Sequence, residues 1–406
     1  MPDQQFDIAV IGGGLVGASL VLALAAFARE KGLRVLHIEA NALANSVLAS
    51  DERHLALNAF SWQTLTQLGV ALDANRCAPI QRIHISSRGD FGRVLLDARQ
   101  EGVLEFGRLV PAKQLRDALE AALTSCSSAW LTRQHDSRLI AMNSAAGDAA
   151  ELTLAAATDG ALTTVRARLV VGCDGSQSSV RTLMTAASAA PAEHLVFDYQ
   201  ASALSFNFKP EYDHLGTAYE RFTDTGPIAL LPLPNRRMGA VWTLASTEAA
   251  VALKLSDAEF LQQFQQAFGY RLGRFSDPGK RALWPLQRLR AQPDFADRCV
   301  LIGNAAQTIH PLGAQGFNLG LRDAVALAAA LEKAGDNLGD QALLQTFSDA
   351  RAKDRADTLR FSDSGLVATQ NTAAIARVAR SIAFSALEIV PLAKRSLVRF
   401  GLGYVR

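Results

Sequence analysis

Residues 6–40, FDIAVIGGGLVGASLVLALAAFAREKGLRVLHIEA, decide how the chain folds. An apolar run from Ile8 to Ile11 meets the turn Gly12-Gly13-Gly14-Leu15-Val16-Gly17. A helical pattern of small residues and leucines follows, then a second apolar run, Val35 to Ile38, which stops at Glu39. The order is strand, phosphate loop, helix, strand, acid. Gly12 permits the tight turn, Gly14 lets backbone approach a pyrophosphate, and Gly17 lets the helix lie close on the strand. Free N–H groups at the helix start attract phosphate oxygens. Glu39 can accept hydrogen bonds from an adenosine ribose, which argues against a 2′-phosphate there. The stretch predicts a dinucleotide site rather than a merely structural glycine turn.

Ile8 to Ala28 carries no charged residue and is long enough by count to span a bilayer. Three consecutive glycines interrupt it, and Asp3 and Asp7 precede it rather than Lys or Arg. With neither a basic start nor a small-residue cleavage site, it reads as a buried nucleotide-binding unit, and the protein is not expected to be secreted.

A chain of 406 residues can hold two domains around large cores. A net charge of +2, with no basic patch interleaved with aromatics, gives no reason to expect nucleic acid. Cys77, Cys126, Cys173 and Cys299 lie far apart, a spacing that gives neither a zinc site nor a disulfide framework and suits a reducing cytoplasm. The histidines are equally scattered, so no metal is expected.

Beyond Glu39, Ser61 to Leu68 reads as an amphipathic helix ended by Gly69, and Ile80 to Ala98 as a hairpin around Arg88-Gly89-Asp90. Pro111 opens a helix in which Leu115, Leu119 and Leu123 share a face. Strands are predicted over Leu131 to Ala141, Glu151 to Ala157 and Leu162 to Val171. The last runs into Gly172-Cys173-Asp174-Gly175-Ser176-Gln177-Ser178-Ser179-Val180-Arg181, which taken alone is a common turn and helix cap. Phe197 to Leu244 is β-rich, and Ser256 to Phe268 is a helix with Asp257 and Glu259 at its positive end. A strand from Cys299 to Ile302 then opens a long loop, Gly303 to Gly320, before a helix from Leu321 to Lys333. Such a loop can hold a polar ring edge or a developing anion against backbone N–H groups.

Together, the GxGxxG unit ending in Glu39, the Asp174-Gly175-x-x-Ser178-x-x-Arg181 element and the Gly303 to Gly320 loop resemble the single-component FAD-dependent aromatic hydroxylases of the para-hydroxybenzoate hydroxylase fold. Within that group the chain looks most like the ubiquinone-pathway hydroxylases that act on polyprenylated methoxyphenols. This closer likeness rests on residues 303–311 and 315–323, on Glu220-Arg221-Phe222-Thr223 with Gly226-Pro227, and on residues 268–273.

The resemblance implies an α/β fold in which a Rossmann-like FAD-binding domain (residues 1–75, 101–181 and 286–340) interleaves with a β-rich substrate domain (76–100 and 182–285). C-terminal helices (341–406) follow. It implies that Gly12, Gly14, Leu15, Val16 and Gly17 hold the FAD pyrophosphate, with Glu39 on the adenosine ribose and Arg53 along the flavin side. Asp174 and Gly175 would sit near the pyrophosphate and the path of the nicotinamide donor. Asn304 would face the ribityl chain, Gly316, Phe317 and Asn318 would approach the flavin ring, and Pro311 and Pro232 would lie on the substrate side. The wider group has Asp where this chain has Asn304, and His where it has Gln307; the ubiquinone branch shares Asn and Gln. An Asn oxygen still accepts a ribityl hydroxyl, at a difference of about 1 kcal/mol.

The implied reaction uses NADH or NADPH to reduce the flavin and O2 to form a flavin hydroperoxide, whose distal oxygen passes to an electron-rich phenol. A phenol of pKa about 10 is only about one part in a thousand ionised at pH 7, so full ionisation needs about 4 kcal/mol of help. His54, His84, His214 and His310 are candidates for that help by residue type alone, and each reads first as structural. The segment 381–406 carries Lys394, Arg395, Arg399 and Arg406 among apolar residues. It reads equally as a peripheral membrane contact at the inner face or as helices packed on their own domain. Two other functions stay open: a hydroxylase of a small soluble aromatic compound, and a non-catalytic FAD-bound subunit of a ubiquinone-biosynthesis complex.

Overall fold

Strand Gln4–Ile11 lies at the centre of an eight-stranded sheet in the computed structural model, which describes residues 4–40, 53–126, 129–144, 147–186, 193–309, 315–370 and 374–404. It pairs in parallel with Val35–Ile38 on one side and Leu162–Gly172 on the other. Leu131–Gln134 and Cys299–Leu301 extend the parallel order outward. Ile8 and Val10 face one apolar layer and Ala9 and Ile11 the other, which is why the strand reads as an unbroken apolar run.

Helix Leu15–Lys31 covers the first face together with Ala112–Cys126 and Gln315–Ala334. Leu115, Leu119 and Leu123 are buried there, as their spacing predicts. The expected strand over Leu131 to Ala141 is two strands instead. Asp136 takes a left-handed φ of 55°, so Ser137–Asn143 leaves the parallel sheet and pairs antiparallel with Ala150–Ala156. No helix among the described residues is long and apolar enough to cross a membrane.

The second sheet has nine strands. The hairpin Arg82–Ser87 and Arg93–Asp97 forms its edge, followed by Thr217–Thr223, Gly226–Leu233, Arg237–Ala245, Glu193–Pro210 and Ala282–Gln292. Side chains alternate between its faces. Tyr219, Ile228, Leu230, Trp242, Leu204 and Phe206 point to one side, where helix Asp257–Phe268 brings Phe260 and Phe264 against them. That helix starts with the expected acids in a full capping box between Ser256 and Glu259.

Ala218, Leu233 and the partly buried Ile83, Ile85 and Leu231 point the other way, toward Ala56 and Ala59. Two contacts show that this face meets the dinucleotide-binding half. The Arg53 guanidinium lies 4.3 Å over the Trp284 ring, and Asn318 holds the strand His54–Asn58 that carries Ala56.

The C-terminal helices Ala374–Ile389 and Pro391–Gly401 pack on the hairpin edge. Phe384 stacks on Phe222 at 6.0 Å, Leu95 N–H donates to Glu388, and Val398 and Leu402 are buried.

Candidate active site

The phosphate loop is fixed by its own strand neighbours. Gly12 has a φ of +114° and donates to the Ile38 carbonyl at 2.8 Å. A Cβ there would stand 2.5 Å from the Cys173 oxygen, and one on Gly17 only 1.9 Å from the Gly12 oxygen. Neither position tolerates a side chain. Gly14 differs: a Cβ there would meet nothing within 4 Å. It is the N-cap of Leu15–Lys31, makes no side-chain cap, and no acid occupies the first turn. Uncapped N–H groups facing open space are what a pyrophosphate needs, so the loop fits FAD. Leu15 packs on the apolar core, and Val16 wedges between Gly303 and Gly320. Both therefore serve through backbone, not side chain.

Glu39 accepts the Gly13 N–H at 2.7 Å. The carboxylate ties the end of the second strand to the loop, beside the place expected for the ribose. Beneath the loop, burial pushes the Cys173 thiol well above its ordinary value, so it is an inert packing group.

Asp174 abuts the loop through its backbone, since a Cβ on Gly12 would lie 2.7 Å from its nitrogen. Its carboxylate, however, is spent on the helix Ser179–Ala186. It accepts the N–H of Ser179 at 2.7 Å and of Val180 at 3.2 Å, and both the Ser178 and Ser179 hydroxyls. Arg181 donates to the carbonyls of Ala305 at 2.9 Å and Ser176 at 2.6 Å, joining this turn to the one after Cys299–Leu301. The element is therefore a brace between two loops. Gly175, at φ +88°, shapes the turn and leaves its Cβ side open.

The third loop is shorter than expected. The helix begins at Gln315, not Leu321, so Gly316, Phe317 and Asn318 form its first turn. The cause is Asn318: its side chain accepts the Asn58 N–H at 3.1 Å and donates to the Ala56 carbonyl at 2.9 Å, fixing the turn against a distant strand. Gly316 faces open space, and Phe317 packs on the core. Asn304 is exposed in the turn Gly303–Ala305, with its side chain open to a ligand.

Behind this helix lies a buried ionic lattice, whose Gln307, Arg322 and Asp323 stand in the stretches that carry the family likeness. Arg322 pairs with Asp354 at 2.8 Å, while Asp323 receives Arg351 at 2.7 Å, Arg355 at 3.1 Å and the Gln307 amide at 3.3 Å. Arg355 also pairs with Asp294. The lattice joins Gln315–Ala334 to Gln341–Gln370, helices whose pairing residues lie about thirty positions apart in sequence.

Pro311 and His310 lie outside the described residues. Pro232 stands opposite Met238, whose side chain belongs to the layer under Asp257–Phe268. Strand alternation thus turns Pro232 away from the face expected to meet substrate. His84 shares that far side, with its ring 5.6 Å from Tyr219; burial, aided by Arg271, lowers it to about 4, so it is neutral. His214 uses both ring nitrogens, bonding the Leu233 carbonyl of the strand Gly226–Leu233 at 3.0 Å and accepting the Gly216 N–H of its own turn at 3.1 Å. Neither histidine is placed to activate a phenol.

The family model for an FAD binding domain matches residues 5–362. The chain is 31% identical to the ubiquinone hydroxylase UbiL of Rhodospirillum rubrum, covering 100% of this chain and 91% of that protein. It is 30% identical to the 3-demethoxyubiquinol 3-hydroxylase of Escherichia coli, over 99% of this chain and 100% of that one. The chain is an FAD-dependent monooxygenase of the ubiquinone-hydroxylase family. The fold agrees: p-nitrophenol 4-monooxygenase PnpA of Pseudomonas putida superposes with a TM-score of 0.76 over 98% of this chain and 99% of that one, at 15% identity. Monooxygenases of this family draw on NAD(P)H and O2.

Proposed function

We propose that this monooxygenase hydroxylates the ring of a polyprenylated methoxyphenol during ubiquinone synthesis. The observation that carries this reading is the wall that the second sheet turns toward the cofactor half. The Arg53 guanidinium at one end lies over the Trp284 ring, and Ala218, Ile83, Ile85 and Leu231 make the hairpin end apolar. An aromatic acid would be poorly held there, whereas a prenylated ring would bury apolar area at about 25 cal/mol per Å2. The names of the full-length relatives point the same way.

In this reading the Gly12 to Gly17 loop and the uncapped start of Leu15–Lys31 hold the pyrophosphate, Glu39 the ribose, Asn304 the ribityl chain, and the first turn of Gln315–Ala334 the flavin ring. FAD, when bound, supplies the activation of O2 at the expense of NAD(P)H. The protein's own residues bind, orient and exclude water. Residues 1–75, 101–181 and 286–340 act as the cofactor domain, 76–100 and 182–285 as the substrate domain, and 341–406 as the helical brace. Membrane contact falls to the outer side of the last helices, where Val378, Ile382 and Val390 are exposed near Lys394, Arg395 and Arg399.

The deciding experiment is lipid extraction from a deletion strain with mass analysis of quinone precursors. Accumulation of a polyprenyl-methoxyphenol and loss of ubiquinone, reversed by the wild-type gene, is the expected result. Unchanged ubiquinone in a strain without another hydroxylase for the step would overturn the substrate. Rescue by a variant that binds FAD but cannot be reduced would favour a non-catalytic subunit.

A further inference from the structure

On the face of the second sheet that meets the cofactor half, Arg237 bonds Asn207 and Trp284 bonds Ser205, while one central carboxyl stands among apolar side chains. Glu220 lies on strand Thr217–Thr223 between Ala218 and Phe222, with Ile85 beside it on one neighbouring strand and Ala229 on the other. Alternation places it with Ala218, on the side opposite Tyr219 and the helix Asp257–Phe268. Its Oε1 is buried and has no hydrogen-bond partner among the described residues. A buried carboxyl oxygen left without a partner is costly, and a site that keeps one normally has a ligand for it.

Charged groups on the described part of the facing C-terminal helices bond elsewhere. Glu388 of Ala374–Ile389 is taken by Leu95 N–H and Lys394, and Asp357 and Arg360 of Gln341–Gln370 pair with each other. Arg53 and His54 stand at the start of the strand that carries Ala56, with Arg53 over Trp284. Burial alone raises the Glu220 carboxyl to about 8.

We propose that Glu220 receives the ring hydroxyl of the substrate, accepting its hydrogen bond and then its proton as the ring is oxygenated. The inference rests on the phenol reading given above. In this step the phenol O–H bond breaks, the proton passes to a carboxylate oxygen of Glu220, and the electron pair stays on the phenolate oxygen. Nothing is oxidised or reduced. Transfer from a phenol of pKa about 10 to an ordinary glutamate is uphill by between five and six powers of ten. Transfer to Glu220, at about 8, is uphill by about two powers of ten. The apolar frame makes Glu220 a far stronger base, and activity is expected to rise with pH as its carboxylate form fills.

The test uses FAD-loaded protein with 2-methoxy-6-prenylphenol and its O-methyl ether, which lacks the proton. Binding is followed by flavin fluorescence and turnover by NAD(P)H-dependent product formation. Wild type is expected to bind the phenol about tenfold or more tightly than the ether at alkaline pH, as a hydrogen bond to a charged group allows. Glu220→Gln should erase that preference and slow hydroxylation by about a hundredfold or more, while flavin content and reduction by NAD(P)H stay unchanged. Glu220→Asp should recover part of both, and the alkaline rise in rate should vanish in Glu220→Gln. If Glu220→Gln keeps the preference and the rate, the assignment to Glu220 falls while the phenol reading stands. If wild type, loaded with FAD, neither prefers nor hydroxylates the phenol, the phenol reading falls and takes this assignment with it.

Discussion

Two glycines of one loop carry opposite duties, and substitution separates them. A methyl on Gly17 would collide with the Gly12 carbonyl at 1.9 Å, so Gly17→Ala is expected to cost about 3 kcal/mol or more, read as a lower urea midpoint. A methyl on Gly14 enters open space, and its φ of −64° suits alanine. Gly14→Ala should therefore leave the apoprotein within about 0.5 kcal/mol of wild type yet lose FAD on gel filtration. Equal loss of stability in both would contradict the ligand cradle. Three titrating groups also set a stability profile. Burial lowers His37 and His84 from 6.5 to about 4, so the unfolded chain takes up their protons first and stability is lost as pH falls from about 6.5. Glu220, raised from 4.5 to about 8, works in reverse: stability is fullest below 4.5 and is lost as pH rises to about 8. These groups together place the optimum near pH 6.5. Glu220→Gln should remove the alkaline arm, raising Tm at pH 8 and leaving it unchanged at pH 4.

At the scale of elements, the helix Gln315–Ala334 is the part whose position matters most, because the proposed reading gives its first turn the flavin ring. Asn318 holds it to the strand His54–Asn58 at one end, and the Asp323 lattice holds it to Gln341–Gln370 behind. Asp323 is fully buried between two arginines, so Asp323→Ala leaves Arg322, Arg351 and Arg355 to share only Asp354 and Asp294, with one buried positive charge uncompensated. The expected cost is about 3–5 kcal/mol. Flavin affinity should fall with it, since the helix is no longer anchored to Gln341–Gln370 behind. Thermal unfolding together with FAD titration checks both halves, and an unaltered FAD affinity would show that the lattice serves stability alone. The sequence predicted this helix from Leu321 because the glycines before it discourage helix. The tertiary bonds of Asn318 outweigh a propensity deficit of about 1 kcal/mol per glycine.

At the scale of the whole molecule, the two sheets meet at Arg53 on Trp284 and at the Asn318 clasp, and the C-terminal helices lock the hairpin edge. Phe60 N–H donates to Leu402 O at 3.1 Å, and Tyr404 donates to Gln63 at 3.0 Å. Removing residues 381–406 would strip Val398 and Leu402 from a core, so truncation tests folding more than location. Val378 and Ile382, four residues apart on the exposed side of Ala374–Ile389, are the cleaner probes. Val378→Ser with Ile382→Ser should leave FAD binding intact and lower affinity for anionic vesicles, read by sedimentation, by about a hundredfold or more, each buried branched side chain being worth about 1.5–3 kcal/mol. Unchanged sedimentation would remove this face as the membrane contact.

Local order in the sequence determined the cofactor half of this protein. The strand, glycine turn, helix and acid of residues 6–39 interact within a few tens of residues, so their spacing in sequence is nearly their spacing in space. The caps at Ser256 and Asp174, and the face shared by Leu115, Leu119 and Leu123, were legible for the same reason. Only the tertiary structure decided the substrate side. Glu220 differs from Ala218 and Phe222 by one polar letter in a strand. That it faces the cofactor half, while Pro232 and His84 face away, depends on which strands pair and which helix covers each face. The Asp323 lattice likewise joins residues about thirty positions apart or more, where chain order carries no information about distance.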